Sequence, residues 1–190
     1  MKVDRSNPRH WWYLLASGLL VALSIVLRPL LRWRRERGCV VLYGHKLSGN
    51  LLAIYRFLRS RPDLGLRVAF LSLDPEYTRK LSSDGEAVVD LISPSCLSFL
   101  VDAEVLVSDH GLHVLEGLLH ASSLRFVDVW HGIPFKGFDA ADFRVQRRYD
   151  EVWVASPLMR ELYTSRFGFE RDRVLATGYA PIEPAPGRPV

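Results

Sequence analysis

Cysteine is scarce in this chain, whose 190 residues contain only Cys39 and Cys96. Each lies in an apolar stretch without a CxxC partner, so the sequence predicts neither a disulfide framework nor a zinc site. His110 and His113 form an HxxH pair, but no third ligand lies near them in the sequence. We therefore expect no metal and no cofactor, and two buried thiols in a reducing compartment.

The excess of positive charge is uneven along the chain and is mostly local. The formal net charge is +4, and five arginines fall within ten residues: Arg28, Arg32, Arg34, Arg35 and Arg37. Basic residues interleaved with aromatics, which are typical of nucleic-acid binding, are missing. We therefore expect anionic membrane lipids, and no nucleic acid, as the partner of this cluster.

Residues 11–27 form one long run without a charge, WWYLLASGLLVALSIVL. As a helix the run would be about 26 Å long, slightly less than a hydrocarbon core of about 30 Å. If Arg28 snorkels to the headgroups, Leu30 and Leu31 add the missing length, and tryptophans flank the run at both ends. The sequence thus predicts a polar, basic N-terminus over residues 1–10 and a membrane-anchor helix over 11–31.

Two alternatives to an anchor remain open, a signal peptide and a buried amphipathic helix. A small-residue cleavage site is missing, and the run is apolar all round. Because the heavier positive charge follows the run, we expect a location at the cell membrane with the domain on the cytoplasmic side.

The rest of the chain alternates short apolar runs with helical patterns. Strands are predicted over residues 38–43, 66–73, 87–92, 104–108, 126–130, 151–155 and 174–176, with helices between them, including one over 140–150. This alternation is typical of an α/β fold, a Rossmann-like parallel sheet with helices on both faces. We place this domain at residues 38–182 and a disordered tail at 183–190, which holds three prolines and a glycine.

Polar residues follow several strands directly. The strand exits carry His45, His110, His131 and Ser156, and in a parallel sheet such exits lie on one edge, where ligands bind. His131 can move a proton at neutral pH, and Lys136 can hold an anion. The alternative is an ordinary strand-to-loop exit whose histidine only caps a carbonyl.

The exit after the first strand imitates a P-loop. Gly44 and Gly49 have the P-loop spacing, but Asn50 and Leu51 stand where Lys and Ser/Thr are required, which argues against a nucleoside triphosphate site. Asn50 is a suitable N-cap for the helix that follows, and such a helix N-terminus can receive a phosphate.

Several of these segments resemble one known family. The segment Trp130-His-Gly-Ile-Pro-Phe-Lys136 is similar to the Trp-His-Gly-Thr-Pro-Leu-Lys motif of the CDP-glycerol glycerophosphotransferases of bacterial teichoic acid synthesis. Supporting matches, in the same order and spacing, are Gly44-His-Lys-Leu-Ser-Gly-Asn50, Val105-Leu-Val-Ser-Asp-His-Gly111, Val154-Ala-Ser-Pro157 and Ala176-Thr-Gly-Tyr179.

The resemblance implies one half of a two-domain GT-B fold, namely the N-terminal, acceptor-side domain, so we expect a fragment or a split half. It implies transfer of glycerol phosphate from CDP-glycerol, held mostly by a C-terminal domain, to a lipid-linked glycerol-phosphate acceptor. His131 corresponds to the catalytic general base. We expect Lys136 and Gly132, with His45, Asn50, His110 and Ser156 on the other exits, to bind substrate.

Two other functions remain open. The chain could be a non-catalytic, membrane-tethered acceptor-binding or scaffold protein that keeps the fold. It could also be a transferase of the same architecture that uses another activated sugar or alditol.

Overall fold

Seven strands form the centre of the molecule. In this computed structural model, residues 8–31, 33, 38–120, 123–130, 132 and 137–179 are described. The strands are β1 Cys39–Tyr43, β2 Arg67–Ser72, β3 Val88–Asp90, β4 Ala103–Ser108, β5 Arg125–Asp128, β6 Glu151–Val154 and β7 Val174–Ala176. They pair in the order β3-β2-β1-β4-β5-β6-β7, and every pairing is parallel.

Helices connect the strands. They are α1 Pro8–Leu30, α2 Gly49–Arg59, α3 Pro75–Ser83, α4 Pro94–Asp102 and α5 Pro157–Phe167, with 3₁₀ segments at Pro62–Leu64, His113–His120 and Gln146–Arg148. The α/β, Rossmann-like fold predicted from the alternating pattern is therefore confirmed.

Both faces of the sheet are covered, because the central strands are apolar on both sides. On one face Val41 and Leu106 pack against α4, the 3₁₀ segment His113–His120 and Val21 of α1. On the other face Leu42 and Phe70 pack against α2. The order of the strands reverses between β1 and β4, and at such a switch point the connections leave to opposite faces and open a crevice at the carboxyl edge.

Local signals in the sequence mark both ends of α5. The Ser156 hydroxyl caps it by accepting from Met159 N at 3.3 Å, and Gly168 ends it in a left-handed conformation at φ +72°. The prediction of Asn50 as the N-cap of α2 was wrong, since α2 begins at Gly49 and Ser48 is the capping residue. The side chain of Asn50 is instead used in a contact with β5, described below.

The predicted helix over residues 140–150 was also wrong. Turns fill most of this stretch, and only Gln146–Arg148 forms a 3₁₀ turn. Asp139 and Asp142 explain the difference, because Asp139 Oδ1 accepts from Ala141 N at 2.7 Å and Asp142 Oδ2 accepts from Asp139 N at 2.9 Å. Such local side-chain bonds compete with the helical ladder.

The predicted anchor stretch is a single helix, α1, and residues 11–30 are long and apolar enough to cross a membrane by length and composition. Arg28, which was expected to snorkel to the headgroups, does not; it is 2% exposed and donates to carbonyls of α4 and β4. The anchor role of residues 11–31 and the domain limits stay predictions, and most of segment 1–10 and the tail 183–190 lie outside the described residues.

Candidate functional site

Three histidines meet at the switch point between β1 and β4. His45 follows β1, and the centroid of its ring lies 4.6 Å from that of His110 and 5.3 Å from that of His113, both of which follow β4. The predicted meeting of His45 and His110 at one edge of the sheet is what the structure shows. His113, for which the sequence predicted no role, is the third histidine of this group.

Hydrogen bonds orient two members of this histidine cluster (His45, His110 and His113), namely His110 and His113. The nearly buried carboxylate of Asp109 lies 2.7 Å from His110 Nδ1 through its Oδ1 atom, and Tyr43 OH lies 3.4 Å from His113 Nδ1. Ser108 Oγ bonds both the backbone N and O of His110. The β4 exit is therefore tied in place before any ligand arrives.

The surroundings shift the pKa values of two of these histidines, His45 and His113. Burial, followed by the neighbouring imidazoles, lowers the pKa of His45, and burial lowers the pKa of His113. Both rings therefore favour the neutral form at pH 7 in the free protein. Any anion that bound beside these rings would raise their pKa values, so that its binding would be coupled to their protonation.

Gly44 allows the β1 exit to approach the β4 exit closely. A Cβ atom at this position would overlap Asp109 Oδ1 and would lie 2.6 Å from Leu51 Cδ1. Gly44, the first glycine of the P-loop-like spacing, is therefore needed for a steric reason, because a side chain at this position would push the two strand exits apart.

The exit of β5 is braced from two sides. Asn50 Nδ2 donates to Val129 O at 2.6 Å and to Trp130 O at 2.5 Å, and Asp128 Oδ1 accepts from Trp130 N at 3.0 Å. Trp130 has a φ of +28°, which is rare for a residue with a side chain. A conformation of this kind persists only where its surroundings hold it, and here Asn50 and Asp128 do so.

Asp128 itself is fully buried at the end of β5. Burial raises the pKa of this carboxyl to about 7, Asp109 adds to the shift, and the Trp130 N–H and His110 oppose it. Within the described part of the chain, Asp128 Oδ2 has no hydrogen-bond partner. A carboxyl in such a place holds its proton close to neutral pH.

A narrow cleft runs along the exits of β5, β6 and β7. Asn50, Gly132, Ala155 and Gly178 line it, and its free space is about 30 Å³, about enough for one water molecule. Ser156 caps α5 beside this cleft, and Ala155 is the residue of that exit that lines it.

His131 and Lys136, the predicted base and anion-binding residue, lie outside the described residues, so their roles stay predictions. The sequence did not lead us to predict His113 or Asp128 as residues of the site. The HxxH spacing and a carboxylate ending an apolar strand were the available signals. Over the described residues, no three His, Cys, Asp or Glu side chains are grouped to hold a metal ion.

The all-parallel sheet, its helices on both faces and the polar residues at its carboxyl edge define an α/β domain of Rossmann-like type. Residues 31–182 match the CDP-glycerol:poly(glycerophosphate) glycerophosphotransferase family. The chain therefore belongs to this family. No curated protein matches the sequence.

Solved structures of the wall teichoic acid polymerase TagF have the same fold. A variant of TagF superposes with a TM-score of 0.59 at 17% identity, covering 85% of this chain and 47% of that one. The unmodified polymerase gives 0.54 at 15% identity, covering 86% and 47%. A TagF variant soaked with CDPG gives 0.58 at 14%, covering 86% and 45%. The chain spans about half the length of these relatives.

Proposed function

We propose that the chain is the acceptor-side part of a CDP-glycerol glycerophosphotransferase of GT-B type. It acts in the transfer of glycerol phosphate from CDP-glycerol to a lipid-linked glycerol-phosphate acceptor, in the synthesis of teichoic acid or a related cell-wall polymer. The observation that carries the proposal is the family match over residues 31–182. The structures of similar fold are consistent with it, since TagF is a wall teichoic acid polymerase and one TagF variant was soaked with CDPG.

The proposed reaction needs one base. A hydroxyl of the acceptor attacks the β-phosphorus of CDP-glycerol, the new P–O bond forms, the bond to the bridging oxygen breaks, and CMP leaves. His131 takes the proton of the attacking hydroxyl, a role worth about 10²–10⁴ in rate. Support comes from the braced β5 exit, since the backbone that leads into His131 is held by Asn50 and Asp128.

Some of the remaining predicted residues bind the phosphates, and the others shape the site. His45 and His110, placed at the switch point, receive an acceptor phosphate, and Lys136 neutralises charge in the transition state. Gly132 leaves room beside His131, and Ser156 holds α5 at the next exit. Asn50 lines the cleft, and its amide holds the backbone of the β5 exit by donating to Trp130 O.

The proposed place of work is the cytoplasmic face of the cell membrane. Two features support it, the apolar helix α1 and the arginines that follow it in the sequence. A nucleotide-activated donor is cytoplasmic, and a lipid-linked acceptor is held in the membrane. Positive residues flank membrane segments mainly on their cytoplasmic side, and here they follow α1 on the side of the folded domain.

The test is transfer of radiolabelled glycerol phosphate from CDP-glycerol to a lipid-linked acceptor by the complete protein. We expect His131→Ala to lower kcat by about 10²-fold or more. His120→Ala is the matched control, because this exposed histidine lies at the end of the 3₁₀ segment and should leave kcat unchanged. Equal kcat for His131→Ala and the unmodified protein would refute the assigned base.

A second function, acceptor binding without catalysis by this chain, is supported by the meeting of His45 and His110 at the switch point, which can receive a phosphate without taking part in the chemistry. Calorimetric titration of the chain with a glycerol-phosphate oligomer and, separately, with CDP-glycerol distinguishes the two. Binding of the oligomer without turnover supports the acceptor-binding function. Turnover by the chain supports the transferase.

A further inference from the structure

Helix α1 is amphipathic in the opposite sense to a helix on the surface of a soluble protein. The residues that it buries against the domain are Tyr13, Ser17, Val21, Ser24 and Arg28, and four of these five are polar. The residues that it exposes are apolar: Trp11, Trp12, Leu15, Leu19, Leu23, Val26 and Leu30. Because water would favour the reverse arrangement, the outward face is suited to a nonpolar environment.

Polar contacts hold α1 to the domain at both ends. Near its start, Tyr13 OH donates to Asp90 Oδ1 at 2.6 Å. Near its end, Arg28 Nη1 donates to Leu100 O at 2.7 Å and to Ala103 O at 2.9 Å, which satisfies carbonyls at the C-terminal end of α4. Tyr13 and Arg28 are about 15 positions apart, which corresponds to about 22 Å along the helix. The helix therefore lies along the domain over most of its length.

The middle of α1 is also packed rather than merely adjacent. Ser17 and Ser24 direct their hydroxyls back to the helix, to Tyr13 O at 2.8 Å and Val21 O at 2.7 Å. Their small size lets α1 approach closely, and Val21 enters the core of the sheet. A helix that crossed the bilayer away from the domain would lose these contacts. The carbonyls of Leu100 and Ala103 would then lose the guanidinium of Arg28 as their donor.

This contact pattern fits a bilayer surface better than a bilayer crossing. Trp11 and Trp12 stand at one end of the exposed face and Trp33 at the other, and indoles favour the interfacial layer. The arginines that follow α1 in the sequence are Arg32, Arg34, Arg35 and Arg37, whose charges match anionic headgroups. An apolar groove of about 340 Å³ between α1 and α4, lined by Trp12, Leu15, Leu19 and Leu97, can take an acyl-chain segment.

We propose that α1 is an interfacial helix that lies in the plane of the membrane, with its outward apolar face in an anionic lipid surface and its polar face on the domain. The proposal rests on the membrane location proposed above and changes its form from a spanning anchor to a monotopic one. The Tyr13 end of α1 lies beside Asp90, at the carboxyl edge of the sheet, so the edge that carries the histidine cluster is near the lipid surface.

Vesicle binding tests whether the exposed apolar face of α1 binds lipid. The full chain is sedimented with vesicles of neutral phosphatidylcholine or of phosphatidylcholine with 30 mol% phosphatidylglycerol. We expect tighter binding to the anionic vesicles and a partition coefficient lowered about tenfold by Leu19→Glu. The matched control is Leu158→Glu, a leucine on α5 that is 78% exposed and should change binding less than about twofold. Circular dichroism checks the fold of both variants.

Sidedness distinguishes the two forms of attachment. In membrane vesicles of known orientation, Ser6→Cys and the exposed Ser82→Cys are labelled separately with an impermeant maleimide; the native Cys39 and Cys96 are buried. Labelling of both from the same side supports the in-plane helix. Labelling from opposite sides overturns it while leaving the membrane location intact. Failure of the unmodified chain to bind any vesicle overturns the location itself.

Discussion

At the scale of single residues, Asn50 illustrates how one side chain can serve a distant part of the chain. Its amide reaches the carbonyls of Val129 and Trp130, 79 and 80 positions away, from the first turn of α2. The same contact holds Trp130 at a positive φ immediately before His131. Asn50 is thus a positioning residue for the β5 exit.

We expect Asn50→Leu to lower the free energy of unfolding by about 1–3 kcal/mol, because two buried carbonyls lose their donor. In the transfer assay, the same change should lower kcat more than it raises KM, since it displaces the backbone before His131. Urea unfolding and steady-state kinetics measure the two effects. Ser48→Ala is the control, since the Ser48 side chain makes no capping bond. An unchanged kcat in folded Asn50→Leu would argue against the positioning role.

Asp128 should give stability a particular pH dependence. Its pKa is raised from 3.8 to about 7 in the folded protein, so the folded state binds more protons than the unfolded state between these values. The contribution of Asp128 is therefore most favourable below pH 4 and is lost as pH rises towards 7.

Asp128→Asn removes this titration. The stability of the variant relative to the unmodified protein should rise by at least about 1 kcal/mol between pH 5 and pH 8. Urea unfolding at both pH values measures the difference, and subtracting the unmodified protein removes the titration of all other groups. A difference that stays constant with pH would contradict a raised pKa.

At the scale of secondary-structure elements, the attachment of α1 depends on one guanidinium. Arg28 bonds the carbonyls of Leu100, Val101 and Ala103 and the hydroxyl of Ser123, and so joins α1 to the end of α4 and the start of β4. Its charge lies against the C-terminal end of the α4 dipole, where a cation is favoured. A residue on the long apolar helix α1 thereby caps the C-terminal end of α4.

We expect Arg28→Met to destabilise the protein by about 2–3 kcal/mol, because buried carbonyls lose charge-assisted bonds while the packing volume is nearly kept. Urea unfolding followed by tryptophan fluorescence measures the loss, since three of the five tryptophans lie in or next to α1. Arg61→Met should leave the midpoint unchanged, because the Arg61–Asp63 pair is exposed. Equal midpoints for both variants would show that Arg28 does not hold α1.

At the scale of the whole molecule, the sheet has a protected centre and weak edges. β1 and β4 lie in the middle with five and six residues, whereas β3 and β7, at the two edges, have three residues each. Amide hydrogen exchange should therefore be slowest in β1 and β4 and fastest in β3 and β7. Mass-spectrometric exchange of the native protein measures this order. Equal protection of Val88–Asp90 and Cys39–Tyr43 would contradict it.

The sequence predicted the features that are encoded locally. Apolar runs ended by Gly, His or Ser gave the seven strands, and Ser156 and Gly168 gave the ends of α5. It failed where distant contacts decide. The burial of Arg28 depends on carbonyls more than 70 positions away, and the turns near Phe143 accompany its insertion among Tyr163 and Phe167.

Both native thiols are buried, and burial raises the pKa of Cys96 to about 12. An alkylating reagent can therefore react with them only when the domain opens, since neither thiol is accessible in the folded state. The rate of thiol modification would then report how often the sheet opens, in lipid or in solution, without any added probe. The two buried cysteines thus allow the kinetic stability of the fold to be measured in the unmodified protein.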